Sequence, residues 1–512
     1  MWRTGGYPIV FTSSATEMSD FKEDPFIAFT GGFPKLFTKY NGYPPVEHDG
    51  NGAKYAPYGL RKIQAILLKG GFKTEDIMVV HPKYLKNVIG SATKVLAISA
   101  MDPLALAYVD LTYSSIIGLG EPTNALEFRT MLLKEKALKK YKPKVIVGGA
   151  GAWQIANKKA MNYLGIDHVI LGEAEKDVVD IFSKLMNEEP IPPIIKTRRP
   201  DEKDIIPISH GVIHGGVEIS RGCGRNCQFC SPTKRTRRDI PLEQILEEVK
   251  VNVHAGSRMI TLIGEDLLIY GCRSPKFIPN VEAVCELCEQ IATYKSIQLI
   301  QPVHISLAAV CAAPDLIPRL SEIFWNHSID QIKGRYHLHG RQIMSAETGV
   351  ETGSPRILAK YMRGKCLPFT PEQWPEIVTQ AVGILNDNDW IPLASFLLDM
   401  PGETEDDTMK TIELVDDLRA YNVFLMPVLF VPLGDCTLKN ERKADWSAVS
   451  EASYELFLRC WEYNMETYKE DLGYRKQILT WAGAAFYLMY YRWKNTKNYT
   501  KRLITKIVGL TS

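Results

Sequence analysis

Short apolar strands alternate with helical stretches along most of this 512-residue chain. Buried strands separated by helices predict a doubly wound parallel sheet of Rossmann-like type. In the first half of the chain the strand candidates are residues 76–80, 94–99, 144–149 and 168–173. Ligands of such sheets lie at the carboxyl ends of the strands. Three of these ends carry small residues or carboxylates, at Ser99–Ala100, Gly148–Gly151 and Gly172–Glu175.

A second series of strand candidates follows a segment rich in proline and charge, residues 188–204, which predicts a linker. The candidates are residues 217–220, 259–263, 305–310, 337–338 with 345–351, 394–398 and 428–431. Their number suits a partial or complete β/α barrel. We therefore expect an irregular N-terminal arm, a Rossmann-like domain, a linker, a barrel and a helical C-terminal region, over residues 1–54, 55–187, 188–204, 205–437 and 438–512.

Three of the ten cysteines lie within eight residues, as Cys223, Cys227 and Cys230 in the spacing Cys-x3-Cys-x2-Cys. The N-terminus lacks the apolar core of a secretion signal, and crowded thiols in a reducing compartment indicate metal binding or catalysis. A closed structural zinc site takes four ligands. Three thiolates therefore fit an iron–sulfur cluster with one open iron better than zinc. Zinc binding or simple burial is the alternative.

The triad, with Phe229 before its last member, resembles the signature of the radical S-adenosylmethionine (SAM) superfamily over about residues 217–437. The resemblance implies a [4Fe–4S] cluster on the three thiolates and SAM on the free iron, with Phe229 near the adenine. It also implies a 5′-deoxyadenosyl radical that takes hydrogen from an unactivated carbon, and a low-potential electron donor such as ferredoxin. Acid–base side chains cannot activate such a carbon, so we assign no catalytic residue.

Three downstream segments resemble further elements of this superfamily in the same order: residues 262–266, 348–354 and 396–404. They correspond to a Gly-Gly-Glu-like element, a Gly-x-Glu-[Ser/Thr]-Gly-Ser element and a Pro-Gly-Glu-Thr turn. The first match is partial, because Ile263 stands where a second glycine is common. The resemblance implies SAM contacts from Gly264, Glu265, Asp266, Ser306, Glu351 and Ser354. Taken singly, each carboxylate is equally compatible with a helix cap or a surface charge.

Residues 55–187 resemble the cobalamin-binding domain that precedes many radical SAM domains, through Tyr55–Leu60, Gly148–Gly149 and Gly172–Glu175. The Asp-x-His-x-x-Gly signature is absent, since Val46 stands two positions before His48. The resemblance therefore implies cobalamin bound base-off, with no protein histidine on cobalt. The alternative is a domain that keeps the fold without the cofactor.

The end of the chain is basic and aromatic: eight lysines or arginines and no acidic residue follow Asp471, and residues 481–491 form an apolar aromatic run. This pattern is typical of an interfacial helix on anionic lipid, although a core helix with a solvated tail explains it equally. The aromatic residues form one block and are not spaced to stack bases, so we expect no nucleic acid. With no apolar window of about 18 residues, we expect a cytoplasmic protein, and the basic C-terminus leaves peripheral membrane contact open as an alternative.

The chain as a whole, including the segment Thr16–Asp20 near its start, resembles archaeal radical SAM ring synthases, which build cyclopentane rings into glycerol dialkyl glycerol tetraether (GDGT) membrane lipids. This resemblance implies a hydrophobic lipid substrate and carbon–carbon bond formation. The alternative is a cobalamin-dependent radical SAM methyltransferase acting on a peptide or small molecule. A further hypothesis is that the protein is not an enzyme but a scaffold that binds an iron–sulfur cluster or zinc. A second cluster at Cys285 and Cys288 is disfavoured, because helical placement favours packing of these thiols.

Overall fold

The computed structural model describes residues 2–21, 23, 28, 31–35, 38, 42–50, 52–117, 120–232, 235–325, 337–338 and 341–468. Its strands, numbered along the chain, are β1 Ile9–Thr12, β2 His48–Asp49, β3 Gly52–Ala53, β4 Ile77–Val79, β5 Val95–Ser99, β6 Lys144–Gly148, β7 His168–Leu171, β8 Ile194–Lys196, β9 Gly216–Glu218, β10 Ser220–Arg221, β11 Arg238–Asp239, β12 Met259–Ile263, β13 Leu299–Pro302, β14 His337–Leu338, β15 Arg341–Gln342, β16 Glu347–Glu351, β17 Leu393–Leu398 and β18 Phe424–Leu429.

The α-helices cover the faces of the parallel sheets and connect their strands. They are α1 Tyr58–Lys69, α2 Leu85–Val88, α3 Tyr108–Ile117, α4 Thr123–Lys134, α5 Lys136–Tyr141, α6 Lys158–Leu164, α7 Val178–Met186, α8 Leu242–His254, α9 Val281–Ala292, α10 Leu307–Ala312, α11 Leu316–Trp325, α12 Pro355–Tyr361, α13 Trp374–Asp387, α14 Glu405–Asp417 and α15 Glu451–Tyr468. The α/β class predicted from the sequence is confirmed, including the parallel sheets and a helical segment near the C-terminus.

The N-terminal sheet has six parallel strands in the order β4-β1-β5-β6-β7-β8. The strand order reverses between β1 and β5, as in flavodoxin-like sheets, and this reversal marks the usual ligand crevice. The sequence predicts an irregular arm over residues 1–54, but the structure has strand β1 within it. Only four residues long and following Pro8, it is too short for a visible period, yet all four are buried in the sheet.

The sequence predicts a linker over residues 188–204, but the structure has strand β8 within it. It pairs in parallel with β7, with Val169 opposite Ile194, and so forms the edge of the sheet. Its side chains remain largely exposed, and two prolines precede it. An exposed edge strand needs no run of buried apolar residues, so its composition resembles that of a linker.

Six further parallel strands form a partial barrel. Strands β9, β12 and β13 make one sheet, and β16, β17 and β18 make another. A parallel bridge between His304 and Glu347 connects the two sheets. The strand expected at residues 305–310 is wrong: this stretch enters α10, whose alanines favour a helix, and β13 lies earlier in the chain. Strands β14 and β15 form a separate antiparallel pair.

Helix α3 joins the N-terminal part of the molecule to the last barrel strand. Thr112 Oγ1 accepts a hydrogen bond of 2.8 Å from Leu429 N, and Tyr113 Oη donates one of 3.1 Å to Pro427 O. Tyr113 and Ile116 also belong to the apolar core of the barrel. The two parts of the molecule therefore share one core on this side.

Helix α15 packs beside the same strand, where Asn464 exchanges hydrogen bonds with both backbone groups of Leu425. The basic and aromatic segment at residues 475–506, with its apolar run at 481–491, lies outside the described residues. None of the helices in the described part of the chain has the length and apolar character that crossing a bilayer requires.

Candidate functional site

The three clustered cysteines lie on the loop between β10 and β11. The loop turns sharply at Gly222, Gly224 and Asn226, whose φ angles are +75°, +80° and +59°. A Cβ atom on Gly222 would lie 2.6 Å from the backbone oxygen of Arg235, so this position excludes other residues. The backbone therefore folds into a compact turn that carries all three thiols.

Of the three thiols of this loop, Cys227 is buried, and Cys223 and Cys230 are partly buried. Cys227 is 7% exposed, and burial raises its pKa to about 12. Burial also raises the pKa of Cys223. All ten cysteines lie in the described part of the chain, and none forms a disulfide. Buried thiols become ligands when a metal displaces their protons, and soft thiolates suit iron–sulfur clusters.

No three His, Cys, Asp or Glu side chains of the described residues converge as around a single metal ion. A four-iron cube holds its thiolates further apart than one ion does, since each thiolate binds a different iron. The glycine-bearing turn and its three closely spaced cysteines thus fit a [4Fe–4S] cluster.

Arg225, in the cysteine loop, contacts two residues that the sequence predicts as SAM contacts, Asp266 and Ser306. Its Nη2 lies 3.1 Å from Asp266 Oδ2 and 2.9 Å from Ser306 Oγ. The Ser306 hydroxyl in turn donates to Asp266 over 2.5 Å. Asp266 and Arg225 are 2% and 5% exposed. Asp266 and Ser306 therefore position the loop, a role that the sequence did not reveal.

A second contact holds the other side of the loop. Gly364 packs so closely that a Cβ atom there would lie 2.0 Å from the backbone oxygen of Arg225. Arg225 Nη1 donates to Gly364 O over 3.2 Å, and Gln228 N donates to Tyr361 O over 2.8 Å. The segment after α12 therefore forms a wall against the cysteines.

Glu351 adopts a left-handed backbone conformation, with φ +67°, at a register shift in β16. Its carboxylate lies 3.1 Å from Lys365 Nζ and accepts a hydrogen bond of 3.2 Å from Ser395. Lys365 also donates to Gly349 O over 2.9 Å. Burial lowers the pKa of Lys365, but Glu351 and Cys227 raise it, and the net direction is upward. A strained carboxylate with a charged partner is typical of functional sites.

Glu265 belongs to a second cluster of charges. Burial raises its pKa. Nearby, His304 Nε2 lies 2.9 Å from Glu347 Oε2. Burial lowers the pKa of His304, but Glu347, Glu265 and Asp266 raise it to about 9 overall. Sequence reasoning missed His304 because it precedes the misassigned strand at residues 305–310.

The buried polar atoms that lack a hydrogen-bond partner among the described residues include Ser220 Oγ on β10, Gln301 Oε1 on β13 and Thr348 Oγ1 on β16. Each of these residues is at most 5% exposed. Buried polar groups in proteins nearly always have partners. Their unmet hydrogen-bonding capacity fits a polar ligand such as SAM inside the barrel.

Three sequence-predicted residues have structural roles of their own. A Cβ atom on Gly264 would lie 2.8 Å from Ser220 Oγ, so this glycine permits close packing. The Ser354 hydroxyl donates to Asp407 over 2.6 Å and caps α12 at Ile357 N. Phe229 is 7% exposed and meets Tyr108 edge to face. Gly264, Ser354 and Phe229 thus each have a structural role, and their contacts with SAM stay a prediction.

At the strand reversal of the N-terminal sheet, Ser13 Oγ lies 2.6 Å from Ser99 O and 2.5 Å from Glu17 Oε2, within hydrogen-bonding distance of both. Gly149, with φ +99°, packs against Ala100, leaving no room for a Cβ atom. Both ring nitrogens of His48 are engaged, with Val46 O and His81 N. Both nitrogens of the His48 imidazole are therefore used within the protein.

Residues 217–415 match the family described as the radical SAM superfamily. The chain therefore carries a radical SAM domain, which implies a [4Fe–4S] cluster and SAM. The matched region begins in β9 and includes the cysteine loop, Glu351 and most of the barrel.

Two groups of curated relatives show what this domain is similar to. The tRNA-2-methylthio-N(6)-dimethylallyladenosine synthase of Desulfosudis oleivorans is 26% identical over 220 residues, covering 43% of this chain and 41% of the relative. The ribosomal protein uS12 methylthiotransferase RimO of Leptospira biflexa is 24% identical over 213 residues, covering 41% of each chain. The matching stretch thus spans about two fifths of these relatives' length.

Among solved structures, the chain is similar to the radical SAM methyltransferase TsrM from Kitasatospora setae, determined with cobalamin and a [4Fe-4S] cluster bound. The TM-score is 0.50 at 12% identity, over 84% of this chain and 74% of that one. At this identity the similarity shows the fold alone. The comparisons do not support the expected resemblance to tetraether-lipid ring synthases.

Proposed function

We propose that this protein is a cobalamin-dependent radical SAM methyltransferase that alkylates an unactivated carbon of a peptide or small molecule. The observation that carries the proposal is the three-cysteine loop, fastened through Arg225 to Asp266 and Ser306. The loop itself contains no fourth cysteine and no histidine. The fold shared with TsrM supports the methyltransferase reading.

In this proposal Cys223, Cys227 and Cys230 hold the [4Fe–4S] cluster. A reduced cluster with SAM supplies homolytic chemistry that breaks an unactivated C–H bond. The residues around it bind SAM and exclude water. Glu351, Gln301 and Thr348 offer buried oxygen acceptors to the SAM amino and ribose groups, and burial keeps them desolvated. Glu265 provides a further acceptor.

The N-terminal sheet is the proposed cobalamin domain. Two features support this assignment: the strand order, with its reversal between β1 and β5, and the similar fold of a structure that contains cobalamin. Because His48 is engaged on both ring nitrogens, the proposed form is base-off without a histidine ligand. When bound, cobalamin would carry the methyl group that is transferred, and the role of the sheet would be to bind the cofactor.

A second candidate is ring closure in an archaeal tetraether lipid, with carbon–carbon bond formation inside the substrate. One sequence observation favours it: eight basic and no acidic residues follow Asp471, beside the aromatic run at residues 481–491. Such a segment suits contact with an anionic membrane surface. Either reaction takes its electron from a low-potential donor such as ferredoxin.

Product mass separates the two reactions. The anaerobically purified, reconstituted protein is incubated with SAM, a reductant and cobalamin, and extracts of cells lacking the gene serve as substrate pool. Methylation adds one CH2 to the product, whereas ring closure removes two hydrogens. Cys227→Ala is the matched control. Products that gain no methyl group, or turnover independent of added cobalamin, would contradict the methyltransferase proposal.

A further inference from the structure

The cysteine loop emerges from a very short antiparallel ladder, formed by β10 and β11. In this ladder Arg221 stands directly opposite Arg238. Both side chains are 9% exposed. Like charges directly opposite each other destabilise a strand pair, and poor solvation strengthens the repulsion. The ladder that closes the base of the loop therefore needs a carboxylate between its two arginines.

Glu173, from the loop after β7 of the N-terminal sheet, supplies that carboxylate. Its Oε2 atom lies 2.9 Å from Arg221 Nη1 and 2.7 Å from Arg238 Nη2. Its Oε1 atom accepts a further bond of 2.8 Å from Arg238. The side chain is 11% exposed. Burial raises the pKa of Glu173, but the two arginines lower it, and the net direction is downward.

The neighbouring carboxylates do not duplicate this contact. Glu175 and Glu218 lie 2.5 and 2.8 Å from Arg221, so Arg221 keeps two partners when Glu173 is removed. Arg238 has no other carboxylate partner among the described residues, and its remaining bond goes to Pro200 O. Loss of Glu173 therefore leaves Arg238 uncompensated opposite another arginine.

We propose that Glu173 is a positioning residue for the iron–sulfur site, holding together the two ends of the cysteine loop from the neighbouring domain. This inference rests on the proposed function. It gives the Gly-Glu-Ala-Glu segment at residues 172–175 a role distinct from cofactor binding in its own domain. It also makes docking of the N-terminal domain a condition for a stably held cluster.

The test compares Glu173→Gln with the matched variant Glu175→Gln in the full-length protein, reconstituted anaerobically with iron and sulfide. The readouts are iron and sulfide per chain, the electron paramagnetic resonance spectrum of the reduced cluster, and the rate of iron loss to a chelator. Changes in groups that support metal ligands typically weaken metal binding 10- to 100-fold. We expect Glu173→Gln to lose iron about tenfold faster, and Glu175→Gln to resemble the unsubstituted protein.

Rescue distinguishes this role from general loss of structure. In Glu173→Gln/Arg238→Gln the like charge is removed, and we expect iron retention and the spectrum to return toward those of the unsubstituted protein. Unchanged retention in Glu173→Gln, equal loss in Glu175→Gln, or no rescue would each overturn the inference. Failure of the unsubstituted protein itself to assemble a cluster would instead remove the proposed function, and the inference with it.

Discussion

Lys365 and Glu351 form an ion pair 3.1 Å long inside the barrel, with side chains 15% and 9% exposed. Lys365 also contributes to the electrostatic environment of Cys227. The pair thus connects the strained carboxylate of β16 with the wall that packs against the cysteine loop. A pair so poorly solvated stabilises the fold only while both partners are present.

Replacing Lys365 by Met leaves Glu351 buried without its cation. Breaking a buried ion pair in this way costs about 3 kcal/mol, so we expect a lower thermal midpoint of unfolding. In Lys365→Met/Glu351→Gln no charge is left uncompensated, and part of the loss is recovered. If Lys365→Met alone is as stable as the unsubstituted protein, solvent reaches Glu351 and the prediction is wrong.

Replacing Arg225 by Met removes the contacts of the cysteine loop with Asp266, Ser306 and Gly364. We expect cluster retention to fall by about tenfold, the lower end of what loss of a supporting group costs. Iron and sulfide per chain measure the effect. Arg319→Met is the control, because Arg319 forms an exposed pair with Glu282 far from the loop in sequence. Equal retention in both variants would contradict the anchoring role.

His304 makes stability depend on pH. In the folded protein the pKa of His304 is raised from 6.5 to about 9. Its contribution to the free energy of unfolding is therefore complete below pH 6.5 and is lost as the pH rises through about 9. We expect the thermal midpoint to fall over this interval, and His304→Gln to flatten that part of the profile. The same slope in both proteins would assign the pH dependence to other groups.

The interface between α1 and α8 contains a buried ion pair. Lys62 Nζ lies 2.6 Å from Glu248 Oε1, with side chains 3% and 1% exposed, and Tyr58 donates to the same carboxylate over 3.1 Å. We expect Lys62→Met to weaken docking of the two domains at a cost of about 3 kcal/mol. Calorimetry then resolves an earlier transition for the N-terminal part. Asp167→Asn, which breaks the more exposed pair with Lys144, should change little.

The sequence predicts the elements that carry a strong local signal. Residues 259–263 form β12 with the predicted bounds, because this apolar run is buried and ends at Gly264. The sequence predicts a strand over residues 305–310, but residues 307–310 belong to α10, where Ala308 and Ala309 favour a helix. Strand β1 is missed since three apolar residues and a threonine, between Pro8 and Ser13, are too few to show a period.

The contacts that organise the site are harder to predict. Arg225 reaches Asp266 and Ser306 across 41 and 81 residues of chain, and Glu173 reaches Arg238 across 65. No periodicity or local composition encodes such pairings, which depend on how strands assemble. The cysteine spacing is different, since its chemistry is contained within eight residues.

The most direct measurement is the electron paramagnetic resonance spectrum of the anaerobically reconstituted, reduced protein before and after addition of SAM. If Cys223, Cys227 and Cys230 hold a [4Fe–4S] cluster with one iron open to SAM, the reduced cluster gives a signal whose shape changes when SAM binds. Cys227→Ala should lose that signal. A zinc ion at the three thiolates, or a cluster signal that SAM leaves unchanged, would contradict the account.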